Sequence, residues 1–92
     1  MKYMLSWKIK PDAYKAVVKA FLASGAPVPS GITLVGRWHA PGSSYGWLLV
    51  EGEDVEAVAE HVSEWSSLAE LSVTPVIDDT EAANALTRAH GE

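Results

Sequence analysis

The chain of 92 residues contains no cysteine. That excludes disulfides and thiolate metal sites and removes any need for an oxidising compartment. No apolar run approaches the roughly 20 residues that a membrane-spanning helix requires, so no membrane partner is expected. The opening residues, MKYMLSWKIKPD, lack the long apolar segment and small-residue cleavage site of a secretory signal. A soluble, cytoplasmic protein is the expectation. Positive charge is scarce: Lys plus Arg number 7 against 12 Asp plus Glu, for a formal net charge of −5. The lysines at 2, 8, 10, 15 and 19 form no basic stripe, so no nucleic-acid partner is expected. The acidic balance favours neutral or cationic small molecules, or a second copy of the chain, as partners. Metal binding is not expected either. His39, His61 and His90 lie on separate segments, without the close spacing of a metal-binding pair. No haem-attachment motif and no phosphate-binding loop is present, and GSSYG sits between strands rather than before a helix. The Ser43-Ser44 pair likewise lacks the strand-turn-helix setting of a nucleophile elbow. No cofactor is expected.

What is there is the pattern of one domain spanning 1–92. In KYMLSWKI, Tyr3, Leu5, Trp7 and Ile9 alternate with Lys2, Met4, Ser6 and Lys8, which predicts a strand over 2–9. Pro11 and Asp12 open a helix whose core stripe is Tyr14, Val17, Val18, Phe21 and Leu22, ended by Gly25. After a proline-containing loop, strands are predicted over 32–40 and 45–52, joined at Pro41-Gly42-Ser43-Ser44 as an antiparallel hairpin. A helix begins at Glu53 or Asp54 and runs to about Trp65, with Val55, Val58, Ala59 and Val62 as its buried stripe. A fourth strand covers 70–77, with Pro75 confined to an edge or a bulge. Asp78-Asp79-Thr80 caps a last, alanine-rich helix over 80–90, expected to dock closely and weakly.

Strand, helix, strand, strand, helix, strand is the split βαβ order, here with an extra C-terminal helix. The expected fold class is α+β, ferredoxin-like: a four-stranded antiparallel sheet with two helices on one face. Simple alternation places Ile32, Leu34 and Trp38 on one side of the second strand and Val35 on the other. The third strand is apolar on both sides. A sheet with one wet face alternates more cleanly, so the second face should be covered too. The simplest cover is a second copy related by a two-fold axis.

The stretch GRWHAPGSSYGW, 36–47, concentrates rings and polar groups around one turn. Parity places Arg37 and His39 on one face and Trp38 on the other. With an even loop, Trp38 sits opposite Trp47 and His39 opposite Gly46, leaving open space beside the His39 ring. Histidine suits proton transfer near neutral pH, and arginine offers a fixed fork for an oxyanion. His39 and Arg37 are therefore the candidate catalytic pair. Trp38, Trp47 and Trp65 are candidate walls for a ligand, and Ser6 and His61 candidate polar contacts. The competing reading is structural: His39 bonded to a backbone carbonyl, Arg37 paired with an acid, His61 half exposed, and the tryptophans packing the core.

Three strings, MKYMLSW at 1–7, SGAPVPSGITLVGRWH at 24–39 and EWSSLAELSVTPVIDD at 64–79, resemble a bacterial family of unknown function. That family falls in the dimeric α+β barrel superfamily. The resemblance implies a homodimer with a pocket between sheet and helices in each subunit. It also implies the company of cofactor-free monooxygenases on aromatic polyketides, polyketide cyclases, haem-degrading enzymes and stress-induced proteins. Fold alone does not choose among these. Two expectations follow: a small-molecule-binding dimer acting on an aromatic or polyketide-like compound, or a stress-related or structural dimer without chemistry.

Overall fold

The computed structural model describes residues 1–91. The strands are β1 (Lys2–Ile9), β2 (Thr33–His39), β3 (Tyr45–Glu51) and β4 (Ala69–Val76). The helices are α1 (Tyr14–Ser24, entered through a 3-10 turn at Pro11–Ala13), α2 (Val55–Trp65) and α3 (Asp79–His90). The four strands form one sheet in the order β2-β3-β1-β4, antiparallel throughout. This is the ferredoxin-like βαββαβ arrangement with an extra C-terminal helix. Pro75 lies on β4, an edge strand, in register with Tyr3.

The helix ends follow local chemistry. Gly25 takes the left-handed conformation, φ 73°, and its N–H closes α1 on the Phe21 carbonyl. Asp54 caps α2 by accepting from the Ala57 N–H at 3.1 Å. Asp78 and Glu81 form a reciprocal capping box at the start of α3.

The inner face of the sheet, under α1 and α2, carries Tyr3, Leu5, Leu48 and Val50, packed with Ala57 and Val58 of α2 and with Ile32. The hairpin register is the one an even loop requires: Trp38 opposite Trp47 and His39 opposite Gly46. A bulge alters the rest of β2. Leu34 pairs with Val50 and Gly36 with Leu49, leaving Val35 unpaired. One extra residue reverses parity. Leu34 and Arg37 therefore share the inner face, while Trp38 points outward, away from the Ile32–Leu34 side where simple alternation placed it.

Three expectations about packing are corrected. The buried face of α2 is Ala57, Val58 and His61, whereas Val55 and Ala59 are exposed. Only Val58 is common to the expected stripe and the buried set, because the helix is turned towards Ala57 and His61. On α1 no residue is fully buried, and Leu22 is 79% exposed. This helix leans over the sheet instead of pressing on it. α3 does not dock: none of its residues is buried, and the molecule measures 55 × 27 × 18 Å. Its alanines present too little apolar area to hold it on the sheet.

The space beside Gly46 is not empty. A Cβ there would collide with the Trp7 indole and with the Trp38 carbonyl. Gly46 faces Trp7 across β1 and β3, and the ring lies on the bare backbone. Gly46→Ala is expected to destabilise the fold by about 1–3 kcal/mol, because backbone and ring would both have to move. Urea unfolding checks this; a variant as stable as the parent would show that Trp7 is free to leave.

Candidate functional site

A cavity of about 230 Å³ lies between the inner face of the sheet and the two helices. Its walls are mostly apolar: Trp7 and Leu48 below, Val18 and Phe21 from α1, Trp65 from α2 and Leu71 from β4. It exists because α1 stands off the sheet, and Arg37 shows how. From the middle of β2 its guanidinium donates to the Gly25 carbonyl at 3.0 Å and the Ala26 carbonyl at 2.7 Å, just past the end of α1. The same group lies 5.8 Å from the centre of the Phe21 ring. Burial pulls the Arg37 pKa below its ordinary value, but a guanidinium stays charged at any working pH.

His39 enters the same cavity from the end of β2. Its ring centre lies 5.2 Å from those of Trp7, edge-on, and Phe21. Its Nδ1 shares a 3.0 Å hydrogen bond with the Ser43 hydroxyl. The Trp7 indole N–H donates to the Ser43 carbonyl at 3.3 Å. The hairpin turn thus fixes two rings at one end of the cavity. The sequence arguments overlooked Trp7, Phe21 and Ser43 as site residues. The available signal was a tryptophan on the inner face of β1 with a glycine opposite it on the neighbouring strand.

His61 is only 3% exposed and lines the cavity from α2. Its Nδ1 is buried and has no hydrogen-bond partner among the described residues. Such a group ordinarily costs stability. Burial, and secondarily the positive charge of Arg37, hold its pKa below the ordinary histidine value.

The remaining candidates divide by face. Trp65 lines the cavity. Trp38 and Trp47 stand on the outer face, 55% and 43% exposed, and Ser6 lies beside Trp47 in the register. These three do not touch the cavity, because the bulge and strand alternation turn them away from it. On the outer face Tyr45 packs edge-on against Trp47, ring centres 5.8 Å apart. No group of three or more potential metal ligands occurs among the described residues. None of their helices is long and apolar enough to cross a membrane.

A family model described as "Domain of unknown function (DUF3303)" matches residues 1–90. The chain belongs to the DUF3303 family. The structure of Rv0793 from Mycobacterium tuberculosis is similar to this DUF3303 chain at a TM-score of 0.50 and 14% identity, covering 85% of this chain and 96% of that one. At that identity the likeness speaks for the fold alone. SCO4226 from Streptomyces coelicolor A3(2) is similar at a TM-score of 0.42 and 20% identity, over 83% and 99% of the two chains. No curated protein matches the DUF3303 chain.

The state of His61 has a measurable consequence. Its unfolded pKa is about 6.5 and its folded value is lower. Between the two, the unfolded chain binds more protons. The stability tied to neutral His61 is complete above about pH 6.5 and is lost as pH falls towards the folded value. His61→Leu should flatten that part of the curve. It should be at least as stable as the parent near pH 7, since it removes an unpaired buried nitrogen. Urea midpoints across this range check it; parallel curves for the two proteins would contradict it.

Proposed function

We propose that this protein binds a small, flat, mostly apolar compound of the aromatic or polyketide-like kind between its sheet and helices, and that it does so as a homodimer. The observation that carries the binding reading is the cavity itself: open, apolar and ring-walled, with Arg37, His39, Ser43 and His61 as its few polar groups. Small-molecule sites have that composition. The fitting reaction class is proton transfer on the bound compound, as in cofactor-free oxygenation or cyclisation. In that chemistry a histidine moves the proton and Arg37 steadies the developing oxyanion. His61 is the proton acceptor that the geometry favours, being buried on the cavity wall with Nδ1 unpaired.

The homodimer reading rests on the other face. Trp38, Tyr45 and Trp47 are each large, apolar and roughly half exposed on one surface of the sheet. A cluster of rings of this kind usually meets a partner. A second copy presents the same rings across a two-fold axis. The alternative, a stress-related or structural dimer without chemistry, draws on this face alone and leaves the cavity unused.

Two measurements test the assembly and the binding in turn. Sedimentation at micromolar concentration should give a dimer, and Trp47→Glu a folded monomer; a monomeric parent would remove the assembly. Titration with 2-naphthol should change tryptophan emission saturably through Trp7 and Trp65. Leu71→Trp, which fills the cavity, should abolish the response, whereas Trp47→Phe should keep it. A response lost with Trp47→Phe and kept with Leu71→Trp would move the ligand to the outer face.

A further inference from the structure

The cavity and the molecule around it have opposite charge. The chain carries 12 acidic and 7 basic side chains, yet among the described residues no Asp or Glu lines the cavity. The ionisable groups on its wall are Arg37, His39 and His61. Among the described residues, the ion pairs all involve Met1 or Lys2. Arg37 therefore has no carboxylate partner among them. Its two hydrogen bonds go to neutral carbonyls, and a guanidinium has five N–H groups to give. A partly buried cation over an apolar cavity, without a counter-ion, is costly. Close by, near enough to feel the charge of Arg37, His61 leaves Nδ1 unpaired. Both deficits are of the kind that one bound oxyanion relieves.

We propose that the ligand is an aromatic compound bearing one acidic oxygen group (a carboxylic acid, an acidic phenol or an enol), held as its anion at the Arg37–His61 end of the cavity. This deepens the binding reading above and rests on it. It also reverses the expectation, drawn from net charge, that ligands are neutral or cationic. The anion offsets Arg37 and favours the imidazolium form of His61, so binding draws a proton onto His61. The balance is simple: ligand anion, neutral imidazole and one proton from the buffer acid give an anion–imidazolium pair and the buffer's conjugate base. Of the elements around the cavity, only β2 brings other ionisable groups, Arg37 and His39; α1, β1, β3 and β4 place none on its wall. On α2 itself Glu60 and Glu64 are exposed to water.

The experiment is calorimetric titration of the full chain with 2-naphthoate and with its neutral isostere, 2-naphthamide. The overall charge of −5 works against general anion binding, so a preference for the anion comes from the cavity. We expect 2-naphthoate to bind at least about tenfold more tightly, a difference of about 1.4 kcal/mol. Titration in two buffers of different ionisation enthalpy should show proton uptake for 2-naphthoate and none for 2-naphthamide. His61→Gln, checked as folded by near-ultraviolet circular dichroism, should still bind 2-naphthoate but without the uptake. Equal binding of the two probes would overturn the acidic-ligand inference while leaving the cavity reading intact. Anion-selective binding without proton uptake in the parent would overturn the role of His61. Failure of both probes to bind would overturn the binding reading along with the inference.

Discussion

One arginine on the wrong side of a sheet organises this molecule. The inner face of a sheet under two helices is ordinarily apolar throughout. Here Arg37 stands on that face, on the edge strand β2, and reaches up to the carbonyls of Gly25 and Ala26. The length of that side chain sets how close the end of α1 can come. The apolar residues of α1 therefore face a gap, and Val17, Val18 and Phe21 end half-buried. Burial, and secondarily the same charge, lower the pKa of His61. Cavity and helix position share one cause, which also contributes to the state of the histidine.

The cause of the cause is the bulge at Val35. Without the extra residue, Arg37 would face outward with Trp38 turned in, and the cavity would be filled by an indole. With it, two tryptophans and a tyrosine collect on the outer face and the polar groups collect inside. The two faces then differ in kind: exposed rings outside, and inside an apolar cavity with a few polar groups on its wall. Trp7 completes the partition. Seated on Gly46 and held through its indole N–H, it closes the hairpin end of the cavity against His39.

Much of the architecture was legible in residue order. Period-two alternation in KYMLSWKI and the spacing of Val17, Val18 and Phe21 mark a strand and a helix without ambiguity. The four-residue turn at 41–44 sets the pairing of Trp38 with Trp47 and of His39 with Gly46. The site was legible only in part, for physical reasons. A bulge leaves no mark in an alternating string, so Trp38 was grouped with Ile32 and Leu34 when it faces away from them. Gly46 reads as open space unless one knows that Trp7 lies across it. A buried histidine breaks an apolar stripe, so His61 read as a flank residue when it is the centre of the buried face of α2. Net charge averages over the whole surface and says nothing of a pocket from which acids are missing. α3 has a well-formed cap but little to bury, and caps speak for helix formation, not for docking.

The proposed binding mode places ligands between helices and sheet, at the end marked by Arg37 and His61. The most direct measurement is a set of intermolecular nuclear Overhauser contacts between protein and bound 2-naphthoate. The account predicts contacts from the ring protons to Phe21, Leu71 and Trp65. Contacts to Trp38 and Trp47 would contradict it, because they would place the ligand on the opposite face of the sheet.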